Sequence, residues 1–249
     1  MSKKVIGGTA VLIIGASGGI GAALVQYYLH ASDATAVIAV SRGRRPSCFE
    51  NSGKRLLWRI SNYTETSIAG EMEWISTLGL MVTRVAICNG ILHNQRIAPE
   101  KSVSRLSGSV MHEVFQVNVV VPSLWVAALP RVLPVDADCV VAVLSARVGS
   151  IGDNRLGGWH SYRASKAALN MVLKSASVEF ARRFPGVKLL AFHPGTTDTE
   201  LSQPFQRGVP QEKLFTPHFV AGRLAALMDQ LKPDGQLAYL AWDGSKIEW

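Results

Sequence analysis

Short apolar runs alternate along the chain with longer stretches of helical periodicity. Val11–Ile14, Ala36–Val40, Arg55–Ile60, Arg84–Cys88, Cys139–Leu144, Val187–His193 and Gln236–Leu240 read as strands. Most are continuously apolar rather than alternating, the mark of strands covered on both faces of a parallel sheet. Between them Gly19–His30, Thr64–Thr77, Val103–Phe115, Asn118–Leu133, Tyr162–Phe184 and Pro217–Leu231 read as helices. Alternation of this kind predicts βαβ units with right-handed crossovers. The expectation is an α/β chain with one domain over residues 1–249. It is doubly wound, with a mostly parallel seven-stranded sheet and helices on both faces.

Composition narrows the class without changing it. At 249 residues a single core buries most of the apolar surface with no disulfide or metal staple. With 48% hydrophobic and 18% charged residues, disorder is excluded. The three cysteines, Cys48, Cys88 and Cys139, form no CxxC pair and no zinc-type Cys/His cluster, so no metal is expected. Free thiols point to a reducing compartment, here the cytoplasm.

The N-terminus carries two lysines and an apolar run, as a signal peptide does. Gly7, Gly8, Thr9 and Gly15 interrupt the run, and it ends in a glycine loop, so it reads as a buried strand. No stretch of about 18 uninterrupted apolar residues occurs, and no membrane span is expected. The net charge of +8 suits a basic surface that attracts anionic cofactors. Basic runs with interleaved aromatics, a helix-turn-helix pattern and zinc motifs are all missing, so nucleic acid is not an expected partner.

The stretches richest in Gly and Pro are Ser41–Gly53, Gly149–Gly158 and Pro194–Pro217. The last two follow strands, where open α/β sheets place their ligands. After the first strand comes Gly15-Ala16-Ser17-Gly18-Gly19-Ile20-Gly21, and a helix follows. Glycine permits the tight turn and close backbone approach. The helix start then offers free N–H groups and partial positive charge to a pyrophosphate. Between the first strand and first helix of a βαβ series, such a cluster marks a Rossmann-type dinucleotide site. The second strand ends Val40-Ser41-Arg42-Gly43-Arg44-Arg45. NAD sites usually place a carboxylate here for the ribose hydroxyls. An arginine instead binds a 2′-phosphate with charge-assisted hydrogen bonds. Ser41 and Arg42, with Arg44 or Arg45 in support, predict NADP(H) over NAD(H).

Tyr162 and Lys166 stand four apart at the start of a long helical segment, so they share one face. A free tyrosine titrates near pH 10, too high for efficient proton exchange at neutral pH, and a nearby ammonium lowers that value. Such a pair can deliver a proton to a carbonyl oxygen or remove one from an alcohol.

The glycine loop, the Tyr162/Lys166 pair, Asn118 in Val117-Asn118-Val119 and the Pro194-Gly195 turn occur in an order and at separations that resemble the short-chain dehydrogenase/reductases. The resemblance spans nearly the whole chain. Gly157-Gly158-Trp159 and Ala241-Trp242-Asp243-Gly244 are similar to the branch holding the C-factor signalling protein and sniffer-type carbonyl reductases.

The resemblance implies that Tyr162 is the general acid/base. Lys166 lowers its pKa and binds the nicotinamide ribose, and Asn118 holds a water in a proton relay to Lys166. Gly15, Gly19 and Gly21, with Ser17, Gly18 and Ile20, line the pyrophosphate. Asn89 and Gly90 also contact the cofactor, as do Pro194 and Gly195. Thr197 and Thr199 meet the carboxamide and phosphates. It implies a homodimer or homotetramer, with the Asn118–Leu133 and Tyr162–Phe184 helices often at the interface. It also implies a small carbonyl or hydroxyl substrate, under a lid formed by Thr196–Gln211 with Phe205.

Four departures stand out. Ile14 replaces a threonine, and Ile87-Cys88-Asn89-Gly90 replaces Asn-Asn-Ala-Gly. Ser61 stands where an adenine-binding Asp is common. The family reads Ser-Ser-x-x-Gly after the fifth strand, and its second serine polarises the substrate carbonyl. Anchoring on Gly149 gives Ser145 and then Ala146. Neighbours on a strand face opposite ways, so Ser145 serves only if the strand bulges or ends there. Ser150 and His160 are possible substitutes, while His193 reads as a packing or hydrogen-bonding residue. Two functions are carried forward: an NADP(H)-dependent carbonyl reductase or alcohol dehydrogenase, and a dinucleotide-binding signalling protein with little turnover. The missing second serine and the C-factor resemblance support the second.

Overall fold

The computed structural model describes residues 7–134 and 137–249. The first six residues of the N-terminal reading lie outside that range. The strands are β1 Thr9–Ile14, β2 Ala36–Ser41, β3 Leu56–Ile60, β4 Met81–Ile87, β5 Cys139–Leu144, β6 Val187–His193, β7 Thr196–Thr197, β8 Leu214–Phe215 and β9 Ala238–Ala241. Seven of them form one sheet in the order β3-β2-β1-β4-β5-β6-β9, with every pairing parallel. The order reverses between β1 and β4, which opens a crevice beyond their carboxyl ends. β7 and β8 form a separate two-residue ladder.

The helices are α1 Gly19–Ala31, α2 Glu65–Thr77, α3 Gly108–Phe115, α4 Val121–Ala128, α5 His160–Arg183 and α6 Pro217–Gln230. Alternate strand residues serve opposite faces. Leu12 and Ile14 join a core with Ile68, Trp125 and Leu169, from α2, α4 and α5. Val11 and Ile13 join another with Leu24 and Leu224, from α1 and α6. Burial on both faces is why the central strands β1, β2 and β5 are apolar at all but their end positions. Trp125 is 0% exposed and meets Tyr63 edge-on at 5.8 Å, so it is a core residue.

Two helical boundaries differ from the periodic reading. Val103–Arg105 is a single 3₁₀ turn, and Leu106 and Ser107 are extended, so α3 starts only at Gly108. From there the chain is helical without a break to Arg131, through a π-helical turn at Gln116–Val120. The inserted residue of a π turn shifts the phase of the apolar stripe, which is why the sequence reads as two helices. By length and composition the run Gly108–Arg131 is apolar enough to cross a membrane. In the fold Val114, Trp125, Val126 and Leu129 are buried within it.

Candidate active site

The glycine loop closes on the end of β2. Gly15 is left-handed at φ +78°, and the N–H groups of Gly15 and Ala16 donate to the Val40 carbonyl at 2.9 and 3.1 Å. A Cβ at Gly21 would come within 2.2 Å of the Gly15 carbonyl oxygen, so glycine is required there. A Cβ at Gly19 would lie 2.5 Å from Thr199 Cγ2. Thr199, from the segment after Pro194-Gly195, therefore meets the start of α1. Gly18 caps α1 with no side chain, and no acidic residue stands in the first turn. The exposed N–H groups and positive end of the dipole are thus available to an anion.

Ser41 is buried and donates to Ser17 Oγ at 2.7 Å, linking β2 to the loop. Of the three arginines that follow, Arg45 turns inward onto the carbonyls of Phe49 and Glu50. Arg42 and Arg44 are exposed and form no hydrogen bond or ion pair among the described residues. They, and not Arg45, are free for a phosphate. Asn89 is next to the loop, since a Cβ on Gly15 would meet its N at 3.2 Å. Its buried Oδ1 has no hydrogen-bond partner among the described residues, and a ribose hydroxyl would satisfy it. Burial pushes the Cys88 thiol up to about 12, so it stays neutral. These features fit a dinucleotide.

Gly195 is also left-handed, at φ +72°, and a Cβ there would strike the Phe215 ring at 2.7 Å. Thr197 is buried, and Thr199 Oγ1 donates to its carbonyl at 3.3 Å. Ser61 is buried and spent on the turn into α2, bonding Ser67 Oγ at 2.8 Å and accepting the Tyr63 N–H at 3.2 Å.

Tyr162 and Lys166 are buried on α5, with Lys166 Nζ 5.9 Å from the Tyr162 ring centroid. Lys166 donates to the Leu144 carbonyl at 2.8 Å. Asn118 lies in the π turn, a feature that recurs at functional sites. Its Oδ1 accepts the Ile91 N–H at 2.7 Å. Its Nδ2 donates to the Ile91 carbonyl at 2.9 Å and to Ser165 Oγ at 3.1 Å. Ser165 in turn donates to the Tyr162 carbonyl at 2.7 Å. A Cβ added to Gly90 would stand 3.7 Å from both Asn118 Oδ1 and Lys166 Nζ. Gly90 is thus where the carboxyl end of β4 meets the polar groups of α5 and the π turn.

Burial, and then the neighbouring Tyr239, push the Tyr162 phenol above its ordinary value. Burial draws Lys166 down to about 8. The expected lowering of the phenol by Lys166 is therefore not seen. Desolvation dominates both groups, and the ammonium spends one N–H on Leu144.

Ser145 does not join the pair. β5 ends at Leu144, but the chain stays extended through Ala146 at φ −157° and ψ 147°, so adjacent side chains still face opposite ways. Ser145 is buried and donates to Asn170 Oδ1 at 2.6 Å. The side chain packed with Tyr162 is Ala146. Ser150 is also buried, accepting the Asp153 N–H at 3.0 Å within its own loop. His160 opens α5 with no side-chain hydrogen bond among the described residues. Burial, then Arg147, hold His193 down to about 4, so it is neutral.

Leu92, Ala146 and Tyr162 pack together, with Val148, Trp159, Leu201 and Phe205 against them. The Trp159 ring lies 6.2 Å from Tyr162 and 5.1 Å from Phe205, and Phe205 lies 5.5 Å from His93. The β7–β8 ladder gathers the ends of the intervening segment, whose 3₁₀ helix Gln203–Gly208 carries Phe205 over Trp159. Sequence reasoning missed the Asn118 clamp on Ile91 and the partners Asn170, Tyr239 and Glu100, because no local pattern marks a contact between distant segments. Among the described residues no His/Cys/Asp/Glu group is placed to hold a metal.

Comparisons with known proteins identify the family and the fold. The 1-hydroxy-2-glutathionyl-2-methyl-3-butene dehydrogenase of Rhodococcus sp. (strain AD45) is 31% identical over 147 residues, 59% of this chain and 62% of that protein. This chain thus matches under two thirds of that relative's length. The C-signal of Myxococcus xanthus is 32% identical over 139 residues, 56% of this chain and 78% of its own. It accords with the branch resemblance read from Gly157-Gly158-Trp159. A short-chain dehydrogenase/reductase structure from Burkholderia multivorans with bound NADP superposes with a TM-score of 0.82. It covers 97% of this chain and 100% of that one at 22% identity. The family model described as short chain dehydrogenase matches residues 9–209, and the chain therefore belongs to the short-chain dehydrogenase family.

Proposed function

We propose that this protein is an NADP(H)-dependent oxidoreductase that reduces small carbonyl compounds or oxidises the corresponding alcohols. The observation that carries the reading is the meeting of Asn118 and Lys166 at Gly90, beyond the carboxyl end of β4, with the Tyr162 ring 5.9 Å from the Lys166 ammonium. Exposed Arg42 and Arg44, with no carboxylate at the end of β2, support NADP over NAD, as does the NADP in the Burkholderia structure.

When bound, the nicotinamide supplies or accepts the hydride. The chain's own residues do the rest. The raised pKa keeps Tyr162 a neutral phenol, so its hydroxyl is a proton donor to a carbonyl oxygen brought beside Ala146. Lys166, mostly charged at neutral pH, has three donors. One is spent on Leu144, and two remain for the ribose and the phenol. Asn118 fixes Ile91 and, through Ser165, the backbone of Tyr162. Leu92, Trp159 and Phe205 keep water from the reacting oxygen. We assign the protein to the cytoplasm. Met171 and Val178, 65% and 45% exposed on α5, support assembly as a homodimer or homotetramer.

One observation favours a second reading. Ala146 leaves the carbonyl without the donor that the family's serine provides. Removal of one such donor slows acyl-transfer enzymes about 10²–10³-fold. A dinucleotide-binding signalling protein with residual turnover is consistent with that loss. NADPH oxidation against a panel of aldehydes and ketones tests the first reading. Tight NADPH binding with no turnover on any of them would select the second.

A further inference from the structure

The helix that carries Tyr162 begins on an unusual turn. Gly157, Gly158 and Trp159 are all left-handed, with φ of 64°, 67° and 51°. Glycine accepts that region freely, whereas a tryptophan is held there only by its surroundings. Trp159 is the N-cap of the 24-residue α5 and gives it no side-chain cap. The cap comes from Glu100, far away in the chain. Glu100 Oε2 accepts the Ser161 N–H at 3.1 Å, and Oε1 accepts the Ser161 hydroxyl. The backbone carbonyl of Glu100 accepts the Trp159 N–H. One residue thus satisfies two N–H groups at the helix start, which an α-helix leaves unpaired.

Glu100 is only 6% exposed and forms no salt bridge within 4.0 Å among the described residues, although His160 at the start of α5 acts on it electrostatically. A buried, unpaired carboxylate is unfavourable unless its surroundings favour the charge. Here burial raises its pKa, but the hydrogen bonds from Ser161 and from its own backbone N–H, with the charge of His160, together more than offset that and the net shift is downward. The positive end of α5 acts in the same sense. Tyr162 is the very next residue after Ser161, and the Trp159 ring lies against both Tyr162 and Phe205. The segment that ends at Glu100 begins at Ile91, which Asn118 holds by both backbone groups.

We propose that Glu100 is a positioning residue: its carboxylate fixes the first turn of α5, and with it the Tyr162 hydroxyl and the Trp159 ring that packs beside it. Its turnover readout rests on the carbonyl-reductase reading above, so the test has a second arm that does not. Glu100→Ala, Glu100→Gln and wild type are compared for kcat per bound NADPH, for NADPH Kd, and for hydrogen exchange of the Trp159–Tyr162 amides. Loss of a helix cap predicts that Glu100→Ala lowers kcat per bound NADPH about tenfold, with NADPH Kd unchanged. The same amides should exchange about tenfold faster. Glu100→Gln keeps an acceptor for the Ser161 N–H and a donor for its hydroxyl, and should restore most of both. A cap that served only global stability would reduce the amount of folded protein, not the rate per bound cofactor. Unchanged kcat per bound NADPH in Glu100→Ala, or a Glu100→Gln variant as slow as Glu100→Ala, overturns the proposal. If Glu100→Ala does not fold, Glu100→Asp, whose shorter side chain withdraws the carboxylate from both Ser161 donors, is used, and unaltered amide exchange and kcat overturn it equally. If the wild type turns over no carbonyl, the functional reading fails, and the exchange comparison alone decides the role of Glu100.

Discussion

Ser145 donates a hydrogen bond to Asn170 Oδ1 at 2.6 Å, and so is committed to Asn170 of α5 rather than to the cluster around Tyr162. Asn170 lies two helical turns beyond Tyr162 on the same helix. Ser145→Ala would leave a buried amide oxygen without its donor, at a cost of about 1–3 kcal/mol. The expected outcome is a lower midpoint in chemical denaturation, with kcat per folded molecule unchanged.

The adjacent position predicts the opposite. Ala146 packs beside Tyr162, so a hydroxyl there would stand next to the phenol. Ala146→Ser should raise kcat for carbonyl reduction by about tenfold or more, toward the 10²–10³-fold worth of a well-placed donor. Steady-state kinetics on the best substrate of the panel checks this.

Lys166 sets a pH dependence whose sign differs between activity and stability. Burial lowers it from 10.5 to about 8, so the ammonium is present at neutral pH and is lost as the pH rises through 8. The kcat/KM for NADPH reports the free enzyme. It should fall along an alkaline limb centred near 8, and Lys166→Met should remove that limb along with most activity. Between about 8 and 10.5 the unfolded chain still holds the proton that the folded chain has released. This group's contribution to stability therefore grows with pH across the same window. Denaturation midpoints over that range, compared between wild type and Lys166→Met, check the second sign.

Arg42 should set the choice of cofactor. Its guanidinium is exposed beside Ser41, whose hydroxyl is tied to Ser17 in the glycine loop. A charge-assisted contact to a 2′-phosphate at an exposed site is worth about tenfold in affinity, the lower end of its range. Arg42→Ala should raise the Kd of NADPH by about that factor and leave NADH unchanged, as read by fluorescence titration.

Much of this was legible in the chain because the physics is local. Continuous apolar runs such as Val37–Val40 announce strands buried on both faces, and the seven expected strands are the seven of the parallel sheet. The turn from Gly15 to Gly21 announces itself because only glycine fits where a Cβ would meet the Gly15 carbonyl. What was hidden depends on phase or on distance. The π turn at Gln116–Val120 shifts the apolar stripe and divides one helical run into two apparent ones. The orientation of Ser145 depends on where the extended chain ends, which no motif states. The contact of Glu100 with Ser161 joins residues 61 apart. The phenol's pKa could not be read from its spacing to Lys166, because burial, with Tyr239, sets it.

The central claim is that the Tyr162 hydroxyl delivers the proton. Tyr162→Phe keeps the ring that packs on Ala146, Leu92 and Trp159 and removes only the donor. With NADPH saturating and its Kd measured on the same samples, the account predicts unchanged cofactor binding and a loss of carbonyl reduction of about 10²–10⁴-fold. Reduction within a few-fold of wild type in that variant, with NADPH equally bound, would contradict it.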